Sequence, residues 1–220
     1  MKLYSTLILS LALFISSCSD GENKTEANTD TSSTSTDQVE LIIPDGKYSL
    51  IKIQPTIKWE ATKLNGSSHD GTISATQGKI KVEGGVTSGM MTLDMNSFTC
   101  TDLDGEDREN FDSHLKSEDF LDVAQYPNAD IKITGLKQMD GKHSASIKLF
   151  LHGGIVDYET PVKVKEVELE DGGKGYMIAG VLMVDRTKHK IIYGSGSFFD
   201  NLGDRAINDE VKISFSFTAI

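Results

Sequence analysis

The stretch 185-DRTKHKIIYGSGSFFDNLGDRAINDEVKISFSF-217 ends on an alternation that decides the fold class. Val211, Ile213, Phe215 and Phe217 take one parity; Lys212, Ser214, Ser216 and Thr218 take the other. A period of two places the two sets on opposite faces of a β-strand, one dry and one wet. Upstream, the charged turn Asp185-Arg186-Thr187-Lys188 leads into a Gly/Ser-rich segment carrying Tyr193, Phe198 and Phe199, and then into an acidic loop from Asp200 to Asp209.

Outward from this strand, the body repeats the same texture. Short apolar–polar alternations predict strands near Tyr48–Ile53, Ile57–Lys63, Gly71–Thr76, Lys79–Glu83 and Ser88–Phe98. Others are predicted near Asp130–Lys137, Ser144–His152, Pro161–Glu168, Tyr176–Asp185 and Glu210–Ala219. Asn65-Gly66, Gly84-Gly85, Asp140-Gly141, Gly153-Gly154 and Asp171-Gly172-Gly173 punctuate them as turns. The spacing implies antiparallel hairpins, hence an all-β sandwich or barrel. Only Glu109–Val123 reads as helix or helix-plus-turn, with Asn110 or Asp112 as its cap.

Four apolar faces stand out: Met91/Leu93/Met95, Ile147/Leu149/Leu151, Met177/Ala179/Val181/Met183 and Val211 to Phe217. They fill a solid core, or they line a space that adapts to ligands, a use to which flexible Met side chains are suited.

The N-terminus reads as an address. Lys2 precedes an apolar run, Leu7–Ile15, that falls short of the roughly 20 residues a membrane span needs but matches a signal-peptide core. Ile15-Ser16-Ser17-Cys18 resembles the lipobox of bacterial lipoproteins, which implies acylation of Cys18; the alternative is an ordinary secretory signal. Residues 18–40 are almost devoid of apolar side chains and read as a disordered tether. The organisation expected is thus a signal peptide (1–17), a lipidated tether (18–40) and a folded domain (41–220), exported to the cell envelope and anchored in a membrane through Cys18, facing the periplasm or the cell surface.

Thirty-three acidic against 22 basic residues give a net charge of −11. Without a basic cluster, nucleic-acid binding is excluded as a working hypothesis. With Cys18 acylated, Cys100 reads as a small buried hydrophobe. Asp102 and Asp104 follow it, and acidic neighbours raise a thiol pKa.

The motifs of the body, taken together, resemble the YceI-like family. Lys63-Leu64-Asn65-Gly66-Ser67-Ser68-His69-Asp70-Gly71-Thr72-Ile73 is similar to its early Gly/His hairpin. His114-Leu115-Lys116-Ser117-Glu118-Asp119-Phe120-Leu121-Asp122-Val123, followed by Tyr126-Pro127, is similar to its helical insertion. Thr160-Pro161-Val162 and the C-terminal stretch follow in the family's order; His189 stands where a Tyr is usual, and Lys190 where a Gly is usual. The resemblance implies a lipocalin-like antiparallel barrel of about eight strands with a short helical insertion near 109–123. It also implies an apolar tunnel for a polyisoprenoid, an isoprenoid quinone or a related amphiphilic lipid.

The tunnel residues expected on that basis are Trp59, Met95, Phe98, Phe111, Leu115, Phe120, Ile133, Leu149, Met183, Tyr193, Phe198 and Phe215, with His114 and Arg186 as candidate headgroup contacts. No catalytic residue, metal site or cofactor is expected beyond the bound lipid, and oligomeric state is left open. The five His are scattered without His-x-x-x-His or His-x-His spacing. Gly194-Ser195-Gly196-Ser197 is not a nucleophile elbow. The acidic run Asp102, Asp104, Glu106 and Asp107 fails the calcium-loop pattern, with Asp107 at position six and Ser113 at position twelve, and reads as an acidic surface loop. Arg186, next to Asp185 and with acidic residues recurring from Asp200 onward, reads first as a structural ion pair, worth little if exposed, and second as a headgroup clamp at the tunnel mouth. A non-enzymatic lipid carrier, an enzyme or redox partner acting on such lipids, and a filled barrel acting as an interaction module are the function classes that follow.

Overall fold

In the computed structural model, which describes residues 43–50 and 56–220, nine strands and one helix follow the chain. They are β1 (Gly46–Ser49), β2 (Thr56–Thr62), β3 (Ser68–Glu83), β4 (Val86–Cys100), α1 (Gly105–Lys116), β5 (Asn128–Met139), β6 (Lys142–Leu151), β7 (Gly154–Glu168), β8 (Lys174–Asp185) and β9 (Glu210–Ala219). The expected signal peptide, the tether, Cys18 and the predicted strand residues Ile51–Ile53 lie outside the described residues. Among the described residues no helix is long and apolar enough to cross a membrane.

Every pairing between named strands is antiparallel, in the order β1-β3-β2-β9-β8-β7-β6-β5-β4, and β3 pairs with β4 to close the sheet on itself. The wall is therefore an eight-stranded barrel, β2 to β9, with β1 as an extra strand. β2 pairs with the first half of β3 and β1 with the second half. Ser49 and Ile220 exchange backbone hydrogen bonds at 2.8 and 3.1 Å, so β1 also meets the end of β9. Closure leaves the ladder few open edges, which is how such folds avoid edge-to-edge association.

Two predicted strands, Gly71–Thr76 and Lys79–Glu83, are one sixteen-residue strand, β3, interrupted by register shifts between Thr72 and Ser74 and between Ala75 and Gln77. Those bulges bend the strand and disturb its alternation. The helix also differs from the expected 109–123. It starts at Gly105 behind Asp104 and ends at Lys116, and 117–123 are turns. The acidic residues Glu106 and Asp107 occupy its first turn, where negative charge suits the helix dipole. Asp112 is not its cap. Its carboxylate instead accepts from Cys100 N–H (2.8 Å) and Thr99 Oγ1 (2.5 Å), fastening α1 to β4.

The phase of β8 is opposite to the one expected. Cross-strand partners share a face, and Val184, Leu182, Gly180 and Ile178 pair with Val211, Ile213, Phe215 and Phe217 of β9. Tyr176, Ile178, Leu182 and Val184 are accordingly buried, whereas Met183 is 45 % exposed on the outside. Both parities of β8 are apolar, so alternation alone cannot choose between them.

The β7–β8 ladder begins only at Val162/Gly180, leaving Gly154–Pro161 unpaired with β8. Thr160 Oγ1 donates to Val181 O at 2.6 Å across the divergence. His189, fully buried at the end of the 3₁₀ turn Arg186–His189, packs beside Gly154, where a Cβ would stand 2.8 Å from His189 Cα. A small residue is required there.

Closure of the β3–β4 corner depends on Gly71. A Cβ at this position would lie 1.9 Å from Thr99 O and 2.6 Å from the Trp59 ring. Trp59 stacks on Phe98 with centroids 4.7 Å apart and donates Nε1–H to Thr99 O at 3.2 Å. Gly71→Ala is expected to destabilise the domain by roughly 2–3 kcal/mol through overpacking, read by urea unfolding; an unchanged midpoint and slope would show that the corner relaxes freely.

Candidate functional site

Inside the barrel lie two apolar spaces, and a third, open space lies at one end. The deepest, about 50 Å³, is bounded by Ile80, Met91, Ile133, Ile147, Phe215 and Phe217 among others. The middle one, about 130 Å³, is walled by Trp59, Met95, Phe98, Leu115, Phe120 and Leu149 with their neighbours. The open mouth, about 700 Å³, sits beneath α1 and is lined by residues of β2, β3 and α1, by Phe120 and by the 193–207 segment.

The three spaces share walls. Ile131, Leu182 and Ile213 border both inner cavities. Trp59, Ala61, Leu115, Phe120 and Ile207 border both the middle cavity and the mouth. The result is a column of three compartments in line, separated by two constrictions made of side chains. A dry cavity of roughly 150 Å³ admits a benzene-sized group, so the middle compartment matches one such unit.

Most expected tunnel residues are brought together on this column. Trp59, Met95, Phe98, Leu115, Phe120 and Leu149 border the middle space, Ile133 and Phe215 the deepest, and Phe111, His114 and Tyr193 the mouth. Two are not. Met183 points outward, and Phe198 is 55 % exposed and borders none of the three spaces; its neighbour Phe199 takes the place at the mouth. The constriction residues Ile131, Leu182 and Ile213 were missed; for Ile213 the signal was present in the dry face of the last strand.

The mouth mixes apolar and titratable groups. His114 shares a 3.2 Å contact with Asp119 and meets Phe120 and Tyr193 edge-on, both at 5.1 Å between centroids. Lys63, Asp200 and Arg205 border the same space. His69 packs against Phe111 of α1 with ring centroids 4.5 Å apart and planes tilted by 48°, and its Nδ1 lies 3.0 Å from Asp102. On the other side of that carboxylate, Cys100 Sγ donates to Asp102 Oδ1 at 2.7 Å. Burial, and then the bond to Asp102, push the Cys100 thiol up to about 11. Burial opposes ionisation of Asp102, but hydrogen bonds from Cys100, the Asp70 N–H and His69 outweigh it and hold its carboxyl below the usual range. A thiol bonded to a carboxylate rather than to an imidazole is not an activated nucleophile.

Arg186 is a buried structural group, paired with Asp209, and it borders the middle space rather than the mouth, with no N–H left over for a headgroup. It is 4 % exposed. Its Nε donates to Asn208 O (3.0 Å), Nη1 to Ile191 O and Tyr193 O (both 2.8 Å), and Nη2 to Ile207 O (3.0 Å) and Asp209 Oδ1 (3.5 Å). All five N–H groups of the guanidinium are thereby engaged. Asp185 turns instead to the hydroxyl and N–H of Thr187. Lys190, at the position of the family's Gly, adopts φ 65°, the left-handed region that a Gly occupies without penalty.

His189 and Tyr158 form a second buried polar pair, with 3.1 Å between Nε2 and the hydroxyl. His189 Nδ1 has no hydrogen-bond partner, and burial lowers the pKa of the ring. Burial also raises the Tyr158 hydroxyl to about 12.

A closed antiparallel wall around a largely apolar interior defines a β-barrel protein. The chain belongs to the YceI-like domain family, whose model matches residues 48–219. Among solved structures it is similar to BcnA of Burkholderia cenocepacia, at 22 % identity and TM-score 0.57 over 76 % of this chain and 96 % of that one. It is also similar to the YCEI protein of Campylobacter jejuni, at 14 % identity and TM-score 0.50 over 66 % of this chain and 79 % of that one. A polyisoprenoid-binding domain from Saccharophagus degradans matches at 12 % identity and TM-score 0.49, over 80 % and 98 %. No curated protein matches the chain.

Two consequences are measurable. Arg186→Lys keeps the charge but leaves at least two buried carbonyls without donors, so a loss of roughly 3 kcal/mol or more is expected in urea unfolding; a loss below 1 kcal/mol would mean that the loop is held by other contacts. For His189, the folded pKa lies below that of the unfolded chain, near 6.5. Above about pH 7.5 both states are neutral there and its stabilising effect is complete. As the pH falls through 6.5 the unfolded chain binds a proton that the folded one refuses, so stability drops by up to ~1.4 kcal/mol per pH unit from this group. His189→Gln should flatten that slope between pH 7.5 and 5.5; an equally steep slope would place the titration elsewhere.

Proposed function

We propose that this protein binds an amphiphilic lipid, a polyisoprenoid or isoprenoid quinone, without chemically changing it. The observation that carries the reading is the column: two compartments walled almost wholly by apolar side chains, adjoining a mouth where titratable groups gather. An apolar chain gains about 0.8 kcal/mol per buried methylene, so a prenyl tail is held without specific polar contacts. The polar end then lies among Tyr193, His114, Lys63 and Arg205 at the mouth. Met91 and Met95, on the walls of the inner compartments, are flexible side chains that let the column widen around a chain.

Family membership supports a binding role, and the state of the Cys100 thiol adds no nucleophile to the mouth. Transport or storage of the lipid in the cell envelope, with the domain anchored through Cys18 at the end of a tether, belongs to the same proposal. It rests on the sequence of residues 1–40.

Solvent extraction of the purified full chain should release a prenyl-type amphiphile identifiable by mass spectrometry. Leu182→Trp, which fills the inner constriction, should lower its yield at least fivefold while the wall keeps its far-ultraviolet circular dichroism. No recovered lipid, together with no saturable uptake of a fluorescent polyprenyl probe, would sink the reading.

A further inference from the structure

The register of β3 and β4 assembles a donor set that no local motif announces. Gly71 faces Cys100, and Thr101 N–H donates to Asp70 O at 2.9 Å, continuing the ladder toward the strand ends. His69 thereby stands opposite Asp102. Cys100, two residues before Asp102, projects from the same face of its strand. Gly71 contributes no side chain opposite Cys100, so nothing separates the sulfur from its two neighbours.

The consequence is one sulfur, one imidazole nitrogen and one carboxylate oxygen within 4.8 Å of one another. We propose that His69, Cys100 and Asp102 bind a divalent cation of zinc-like chemistry at the edge of the mouth.

The donor types support that choice. A thiolate, an imidazole and a carboxylate together suit zinc, which takes all three at roughly 2.0–2.3 Å, and they do not suit the oxygen-seeking Ca²⁺ or Mg²⁺. Bonds of that length in a tetrahedron set ligand atoms roughly 3.3–3.8 Å apart. The observed 3.0 Å between His69 Nδ1 and Asp102 Oδ2, and 2.7 Å between Cys100 Sγ and Asp102 Oδ1, need only a modest opening.

The surroundings resemble the outer shell of a metal site. The Asp70 N–H reaches Asp102 Oδ1 at 3.3 Å, and Phe111 packs against the His69 ring in a tilted contact. Cys100 is 1 % exposed, whereas the side chains of His69 and Asp102 are 33 % and 31 % exposed. The ion thus enters from solvent past nitrogen and oxygen and meets the sulfur last. On binding, the S–H bond breaks, the sulfur–metal bond forms with the sulfur's electron pair, and one proton leaves to solvent. Three protein ligands leave a fourth position for water, at a site whose His69 also borders the mouth.

The test uses the full chain, freed of metal by a chelator and titrated with Co²⁺, then with Zn²⁺ as competitor. One Co²⁺ per chain should bind saturably, with a thiolate-to-metal charge-transfer absorption and release of one thiol proton, and Zn²⁺ should displace it. Cys100→Ser should abolish the absorption although Cys18 is still present. Because Cys100 is buried, the partly exposed variants H69Q and D102N carry the test independently, each weakening Co²⁺ at least tenfold with an unchanged fold by circular dichroism. No charge-transfer band at saturating Co²⁺ overturns the proposal. So does a band that survives in C100S, or an affinity untouched in both H69Q and D102N. None of these readouts depends on lipid, so the proposal stands or falls apart from the carrier reading.

Discussion

One buried guanidinium shapes the functional end of the barrel. Residues 186–209 connect β8 to β9 without a strand of their own, a length at which a connection needs an internal organiser. Arg186 sits at its start and donates to carbonyls at 191, 193, 207 and 208, tying the segment's start to its finish. A buried charge is tolerable here because every N–H has an acceptor. Burial lowers the Arg186 pKa while Asp209 and Asp185 oppose that change, yet most of the guanidinium's contacts are to carbonyls rather than to a counter-ion. Tyr193, Phe199, Arg205 and Ile207 reach the mouth from positions this fork determines.

Strand content was legible because alternation is a direct print of which face is wet. It succeeded in β9, where one parity is apolar and the other is Lys, Ser and Thr, and failed in β8, where both parities are apolar and only the register with β9 settles the phase. Met183 was misassigned by a single position for that reason. In β3 the bulges hid one strand inside an apparent pair. In α1 the acids read as a loop are its first turn, since acidic residues serve solvent and the helix dipole equally well.

The site divides in the same way. Leu115 and Phe120 were legible inside the motif resembling the family's helical insertion, and Trp59 and Phe98 as large apolar groups on predicted strands. Phe198 was not distinguishable from Phe199, because the turn that separates them is formed when both N–H groups bond to Ser195 O. His69 and Asp102 lie 33 residues apart, and Tyr158 and His189 lie 31 apart. Such pairs exist only once strands are in register, and no spacing rule along the chain could announce them.

For the ligand proposed, the compartments decide what selectivity is physically available. Each methylene that passes a constriction gains about 0.8 kcal/mol, while turning a constriction side chain by some 30° off its preferred rotamer costs about 0.5–1.5 kcal/mol. The Ile131/Leu182/Ile213 constriction therefore opposes a short chain that reaches it but does not pass. A chain long enough to fill the deeper space offsets that opposition with two or three further methylenes. Discrimination by chain length follows from the wall alone, whereas the mouth, wide and partly wet, has too few buried polar groups to reject one headgroup strongly in favour of another.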